Sequence, residues 1–549
     1  MSGSLDGTGA LSYGQVFMTS LTLVLVLLSG GPPASTWKDR RDHTLSLEEA
    51  RALALARNYS IASGRESLSS AAEGIRQAEG AYDFTFNLGG SFVSQTNPAN
   101  SLLSGAPPGQ VAPNQKTLDF TTSFSRLLPT GGTLMLQGAG GRGTTDSTFT
   151  LLSPNYTTSL GLSLTQPLLR DRAIDSTRRA IRISRTERDR SLASLKQTVA
   201  QTVAAVETAY WNLAADQQRV RVREQAIALA AEQLEETRQR ISVGQLPLTD
   251  EAQPRAEWER RKNDLFAALE QALRAENDLK QLILDEGADP LWQERFVPKD
   301  PVETTTATVD LTSALARAAE LRPEVAEAKA SVARQAIEIA AARNGLKPRL
   351  DLTASYTRNG LAGTQNPNTG ALAAIFPVMV PEALSGDLGR SWGTIGDNLF
   401  PDARVGLSLT VPIGNRTARA GLAMAQVGER QAAIGLAQTR QGVQIEVRNG
   451  AATLETTAQR IEATRAGREA AEIQLQAEVE RFKVGRSTNF LVLTRQNDLS
   501  TARLEEITAL SDYRKALTEF ARAAGTILQE RNVAIAEEGP RGEKPLGSK

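Results

Sequence analysis

Apolar residues recur every seven positions along one long stretch of the chain: Leu192, Val199, Val206, Leu213, Val220, Ile227, Leu234 and Ile241. Leu195, Val203 and Tyr210 fill in at spacings of three and four, which completes a coiled-coil seam. A second stretch keeps the same phase through Val447, Leu454, Ile461, Leu475 and Phe482, with Arg468 interrupting. The pattern predicts long helices over about 172–242 and 416–483. At 1.5 Å per residue each is a rod of about 100 Å, far beyond the ~11–12 residues of an ordinary globular helix. Elsewhere the period drops to two. Phe84, Phe86, Leu88 and Phe92 alternate with Thr85, Asn87 and Ser91. Leu160, Leu162 and Leu164 alternate with Gly161, Ser163 and Thr165, and runs near 349–357 and 403–412 behave alike. These are strands with one apolar and one small, polar face.

The chain is written twice. A shift of 241 lays Val206 on Val447, Leu213 on Leu454, Arg219 on Arg460 and Val243-Gly244 on Val484-Gly485. Leu160-Gly-Leu-Ser-Leu-Thr-Gln-Pro167 matches Val405-Gly-Leu-Ser-Leu-Thr-Val-Pro412 in the same order. Repeat one is expected over 44–286: helix 46–80, strands about 82–95 and 157–166, long helix 172–242, tip 243–250 and helix 249–286. A linker, 287–310, follows. Repeat two is expected over 311–528: helix 311–345, strands about 349–357 and 403–412, long helix 416–483, tip 484–490 and helix 488–527. A polar tail, 529–549, closes the chain. Repeat one also carries strand-like runs within 117–141, read as an extra hairpin in an external loop. The alternative is six strands per subunit rather than four.

Leu21 to Leu28 is strongly apolar and is followed by Ser29-Gly-Gly-Pro-Pro-Ala34. The run is too short for a membrane helix of ~20 residues and fits the core of a signal peptide over 1–34, although no Lys or Arg precedes it. Strands of this length behind an export signal suit an outer-membrane barrel, lipid on the apolar face and water on the polar one. Four strands do not close a barrel, and lipid tolerates no open sheet edge. The chain is therefore expected to pool strands with copies of itself.

Composition narrows the chemistry. The 549 residues hold 62 basic and 62 acidic side chains, so no general pull toward nucleic acid exists. There is no cysteine and one histidine, His43, which reads as a solvated linker residue. Thiolate and Ser–His triad chemistry and Cys/His metal sites are thereby excluded. No enzymatic activity, cofactor or metal is expected.

With these elements in order, the chain resembles the TolC or outer-membrane efflux protein family from about Thr44 to Leu528. The resemblance rests on the strand Leu160 to Leu169 before a long helix, on Ala209-Tyr-Trp-Asn-Leu213 inside it, and on the turns Val243-Gly-Gln-Leu-Pro-Leu-Thr-Asp250 and Val484-Gly-Arg-Ser-Thr-Asn-Phe490. It implies an α+β membrane protein: a homotrimer sharing a twelve-stranded outer-membrane barrel that continues into a long periplasmic α-helical coiled-coil barrel. It implies an exit duct, passing small molecules or proteins from an inner-membrane transporter and a periplasmic adaptor. The rival is a non-transporting coiled-coil envelope scaffold or adhesin. Val243, Gly244, Val484 and Gly485 correspond to the family's adaptor-docking tips. Thr249 and Asp250 match a latch at the periplasmic gate, whose Tyr and Arg partners are replaced here by Phe482 and Ser487, with Arg486 adjacent. Leu491 and Thr494 stand where members often carry an acidic ring, and Phe490 and Leu491 are candidates for a hydrophobic gate.

Overall fold

The computed structural model describes residues 40–535, except 97, 99–104, 108, 288, 303–308 and 370–378. The expected signal peptide, 1–34, and the end of the polar tail lie outside the described residues. In chain order the main elements are β1 (Asp42–Leu45), α1 (Leu47–Arg57), α2 (Tyr59–Glu79), β2 (Thr85–Thr96), β3 (Asn114–Leu127), β4 (Thr133–Thr145) and β5 (Leu152–Pro167). Next come α3 (Ser176–Ser242), α4 (Ala252–Ile283), β6 (Arg295–Pro298), α5 (Leu311–Leu321), α6 (Pro323–Gly345) and β7 (Arg349–Gln365). The chain ends through α7 (Leu388–Gly396), β8 (Phe400–Thr410), α8 (Arg416–Lys483), α9 (Asn489–Ala523) and α10 (Ile527–Glu530). The long helices α3 and α8 run 67 and 68 residues, as the heptads require.

The expected single helices 46–80 and 311–345 are each broken in two. Asn58 ends α1 with extended backbone, and its side chain accepts from the amides of Ser60 and Ile61 to start α2. Arg322 breaks the second pair at the equivalent place, because Pro323 disfavours helical backbone before it. The duplication thus extends to its irregularities. Part of the 287–310 linker has regular structure. It contains β6, which pairs in parallel with β1. His43 lies in that pair, against Glu294 at 3.1 Å and with its ring tilted at 50° to that of Phe296, and is not a free linker residue.

The chain divides into two compact units. Of the described residues, the first comprises those within 40–62, 198–318 and 445–533. Its core is the seam of α3 packed with segments from both repeats: Val206, Tyr210 and Leu213 meet Leu279, Phe296 and Leu454 and are buried. Trp211 is a packing residue, edge-on to Tyr210 and under the Arg514 guanidinium. The Tyr210 hydroxyl lies 2.7 Å from an Asp300 carboxylate oxygen and accepts from the amides of Lys299 and Asp300. It ties the linker to α3, and burial pushes its pKa up.

The second unit comprises the described residues within 63–197 and 319–444, with 534–535. Its centre is a six-stranded antiparallel sheet in the order β2-β3-β4-β5-β7-β8. The hairpin expected in an external loop is instead spliced into the sheet. β3 pairs with β2 from Thr85↔Ser125 to Thr96↔Asn114, and β4 pairs with β5 from Thr133↔Thr165 to Gly143↔Asn155. The sheet of one chain therefore has six strands, the alternative to four. The hairpin was hard to place because strand alternation states a face and not a neighbour. The basic run near the start of α3 is mostly paired: Arg178 with Asp175, Arg179 with Glu338 and Arg185 with Glu79.

Candidate functional site

Two features carry the functional reading: the helix turns at the ends of α3 and α8, and the two faces of the sheet. The turns are built alike. Gly244 has φ 77° and Gly485 φ 74°, a region that favours glycine. At the first, the Gly244 amide donates to Ile241 O and the Gln245 amide to Arg240 O. At the second, Gly485 donates to Phe482 O and Arg486 to Arg481 O. Both are Schellman caps, which satisfy carbonyls that a helix end leaves open. Val243, Val484 and Leu248 are well exposed around them. Pro247 opens a short 3-10 turn, Leu248–Glu251, before α4; Thr488 caps α9 through its side chain.

The sequence-derived latch residues are not joined within one chain. Thr249 lies 3.5 Å from its neighbour Asp250. The Phe482 ring lies under the Arg240 guanidinium, 4.6 Å from its centroid. Ser487 donates to the Glu478 carboxylate, which also accepts from Arg481. Thr494 bonds back to Phe490 O. Among the described residues, no hydrogen bond or ion pair links Thr249 or Asp250 to Phe482, Arg486 or Ser487. Glu478, which the sequence reading passed over, is the buried acid of this tip. Its helical position resembles that of any surface glutamate, so only the turn folding back over it reveals its role. Phe490 and Leu491 are exposed on the first turn of α9. Among the described residues no three His, Asp or Glu side chains gather as a metal site.

The sheet register sorts its residues into two faces, since directly paired residues point the same way. One face runs Phe86–Phe124–Leu136–Leu162–Tyr356 across five strands. Below it lies the row Leu134–Leu164–Ala354–Val405. These side chains are substantially exposed: Leu88, Phe86, Phe120, Val405 and Leu407 all present more than half their surface. The opposite face carries Asn87, Ser123, Gln137, Gly161 and Thr357 in one row. The apolar rows on β4, Leu134 to Gly140 and up to Arg142, cover about 27 Å of strand, or about 20 Å of depth at a barrel tilt of about 40°. That is close to the apolar band of an outer-membrane barrel. No described helix is long and apolar enough to cross a membrane.

An antiparallel sheet with one greasy and one hydroxylic face, in a chain with two rod-length helices, is the fold of an outer-membrane channel protein. The outer membrane efflux protein family model matches residues 50–283 and 314–526, and the chain belongs to that family. It is an outer-membrane protein whose long helices are the periplasmic portion. The outer membrane efflux protein BepC of Brucella suis is 25% identical over 340 residues; the match spans 61% of this chain and 65% of that protein, just under two thirds of its length. The Campylobacter jejuni CmeC outer membrane channel superposes with a TM-score of 0.60 at 15% identity, covering 88% of this chain and 86% of that one. The open-state Neisseria gonorrhoeae MtrE channel gives 0.57 at 18% identity over 88% and 89%. At such identities the structural likeness speaks for the fold.

Proposed function

We propose that three copies of this chain form an export duct with an eighteen-stranded barrel, six strands from each. The observation that carries it is the two-faced six-stranded sheet whose edges, β2 and β8, have no strand partner among the described residues. An open edge inside lipid leaves backbone amides and carbonyls unsatisfied at several kcal/mol each, so β8 of one subunit closes on β2 of the next. Sixteen to eighteen strands leave a water-filled bore. Met424, Val427, Ile434 and Ile445 on α8 are exposed in one chain and supply an apolar seam for a neighbouring subunit's helices.

In this reading cargo arrives from an inner-membrane transporter through a periplasmic adaptor. The adaptor docks on the exposed turns Val243-Gly244 and Val484-Gly485. Thr249, Asp250, Phe482, Arg486 and Ser487 line the mouth, with Phe490 and Leu491 as an apolar constriction and Thr494 one turn further along. The polar face of the sheet is small and hydroxylic, with Asp119, Asp351 and Asp402 spread over three strands rather than gathered into one site, so selectivity is assigned to the pump.

The chain lacks cysteine, so edge pairing is directly testable. Single cysteines scanned along β2 and β8, combined pairwise, should oxidise to covalent trimers for one register of pairs. Native mass spectrometry should give three subunits. A monomer, or covalent dimers only, refutes the barrel.

A further inference from the structure

β8 begins at Phe400, opposite Asn359, so β7 runs on beyond it with one edge uncovered by a strand. The segment carrying α7 covers that edge. Gly386 donates its amide to Gly363 O, and the Leu361 amide donates to the Thr394 hydroxyl. The helix then leans over the apolar face. Ser391 meets the Thr158 hydroxyl at 2.8 Å, and a Cβ at Gly360 would stand 2.1 Å from Ser391 O, so only glycine admits the helix there. Leu388 and Trp392 thereby overhang a cavity of about 420 Å³. Its floor is Gly138 and Gly140, two positions apart on β4 and on the same face, where the side-chain layer is missing. Leu88, Leu118, Phe120 and Tyr156 wall it, and Arg142 stands at its upper rim.

This cleft lies toward the loop-bearing end of the sheet, away from the ends where α2, α3, α6 and α8 join the strands. The charge on the apolar face is one-sided. Its strand residues include Lys116, Arg142 and Arg358 in the upper rows and Arg126 at the lower end, and no Asp or Glu. Asp119, Asp351 and Asp402 all fall on the opposite face. Asp387, at the start of α7, is engaged as a helix cap, accepting from the Arg390 amide.

We propose that the cleft beneath α7 holds an acyl chain of an anionic, phosphate-bearing lipid of the outer leaflet, with Arg142 meeting the phosphate. The ordinary boundary lipid of a barrel touches a closed wall of side chains. Here glycines open the wall, a tryptophan overhangs the gap, and a guanidinium sits where a headgroup phosphate would lie. Its size is that of a small-molecule site, ~300–1,000 Å³. Trp392 is 44% exposed, placed to contact lipid at the interface depth such residues favour. The proposal rests on the sheet lying in the bilayer, which the test checks separately.

The purified oligomer is reconstituted into vesicles containing phosphatidylglycerol or phosphatidylcholine with brominated acyl chains. Quenching of Trp392 is isolated by subtracting the Trp392→Phe protein. Brominated phosphatidylglycerol should half-quench at roughly fivefold lower mole fraction than brominated phosphatidylcholine, the gain expected from one interfacial arginine. Arg142→Gln should abolish that preference. Gly140→Phe, or Gly138→Leu should the first not assemble, should fill the floor and remove quenching at low mole fraction. Equal half-quenching by the two lipids in the unmodified protein would reduce the cleft to ordinary boundary contact and overturn the proposal. So would a preference surviving both Arg142→Gln and the filled floor. Absence of quenching by either lipid would instead place the sheet outside the bilayer and sink the channel reading with it.

Discussion

Replacing Glu207 with alanine tests whether the first unit is held by one buried carboxylate. Glu207 lies on α3 and is fully buried. It accepts from Arg51 on α1 at 3.3 Å, from Thr518 on α9 at 2.6 Å, and from Arg531 beyond α10 at 2.8 and 3.2 Å. Three segments far apart in sequence converge on a single side chain. Removing one partner of a wholly buried ion pair costs ~3–5 kcal/mol, because the remaining charge is left without compensation. Arg51 and Arg531 keep 19% and 25% of their side-chain surface, so both regain some water when the acid goes. The expected loss is therefore below that range, about 2–3 kcal/mol, including the void left by the side chain. Glu207→Gln retains the shape and a hydrogen bond to Thr518 and should cost less, about 1–2 kcal/mol. The measurement is denaturant unfolding of the helical signal in detergent, with hydrogen exchange following the α9–α10 segment. A double-mutant cycle with Arg531→Gln should give a coupling of at least about 0.5 kcal/mol. If Glu207→Ala shifts stability by less than that and leaves exchange beyond Ala523 unchanged, the convergence is geometric and contributes nothing.

Other expectations follow from the same contacts. Tyr210 has a pKa raised by burial, so its contribution is fully present below the ordinary tyrosine value of about 10 and is lost as pH rises above it and the unfolded chain ionises. Tyr210→Phe should weaken that alkaline limb and cost about 1–3 kcal/mol at neutral pH, read by proteolysis of the 287–310 linker. Gly485→Val should cost about 1–2 kcal/mol locally and lower export, since a Cβ there meets nothing within 4 Å and the penalty is purely that of φ 74°. Gly485→Asn should be milder, because asparagine tolerates that region, and equal effects would argue against a conformational cause. Bilayer conductance of the unmodified channel should show little cation preference, whereas Leu491→Asp, repeated around the trimer, should create it and confer block by trivalent cations. Strong cation selectivity without that change would place the filter elsewhere.

The sequence by itself determined what is periodic. The heptads located α8 at its observed bounds and α3 at its observed end, with the start at Ser176 rather than 172, and the alternation of Phe86, Leu88 and Phe92 fixed which side of β2 is greasy. The tip glycines were legible because a chiral backbone leaves few residue types for positive φ. The family resemblance, and with it the outer-membrane role, was carried by these local signals in their duplicated order. Three things waited for tertiary structure. Alternation does not name a strand's neighbour, so only the registers Leu88↔Thr122 and Gly138↔Leu160 moved the extra hairpin from a loop into the middle of the sheet. Heptad reading assigns charge to the solvated side, so Glu207, beside seam residue Val206, looked like any surface acid until α1, α9 and Arg531 after α10 closed over it. Helix α7 gave no long-range sign of where it would lie. Its place is set by a free edge on β7 and by Gly360, whose missing side chain lets the helix approach. In each case the deciding energy is a contact between residues distant in sequence, and a linear pattern records the face a residue presents but not the partner that covers it.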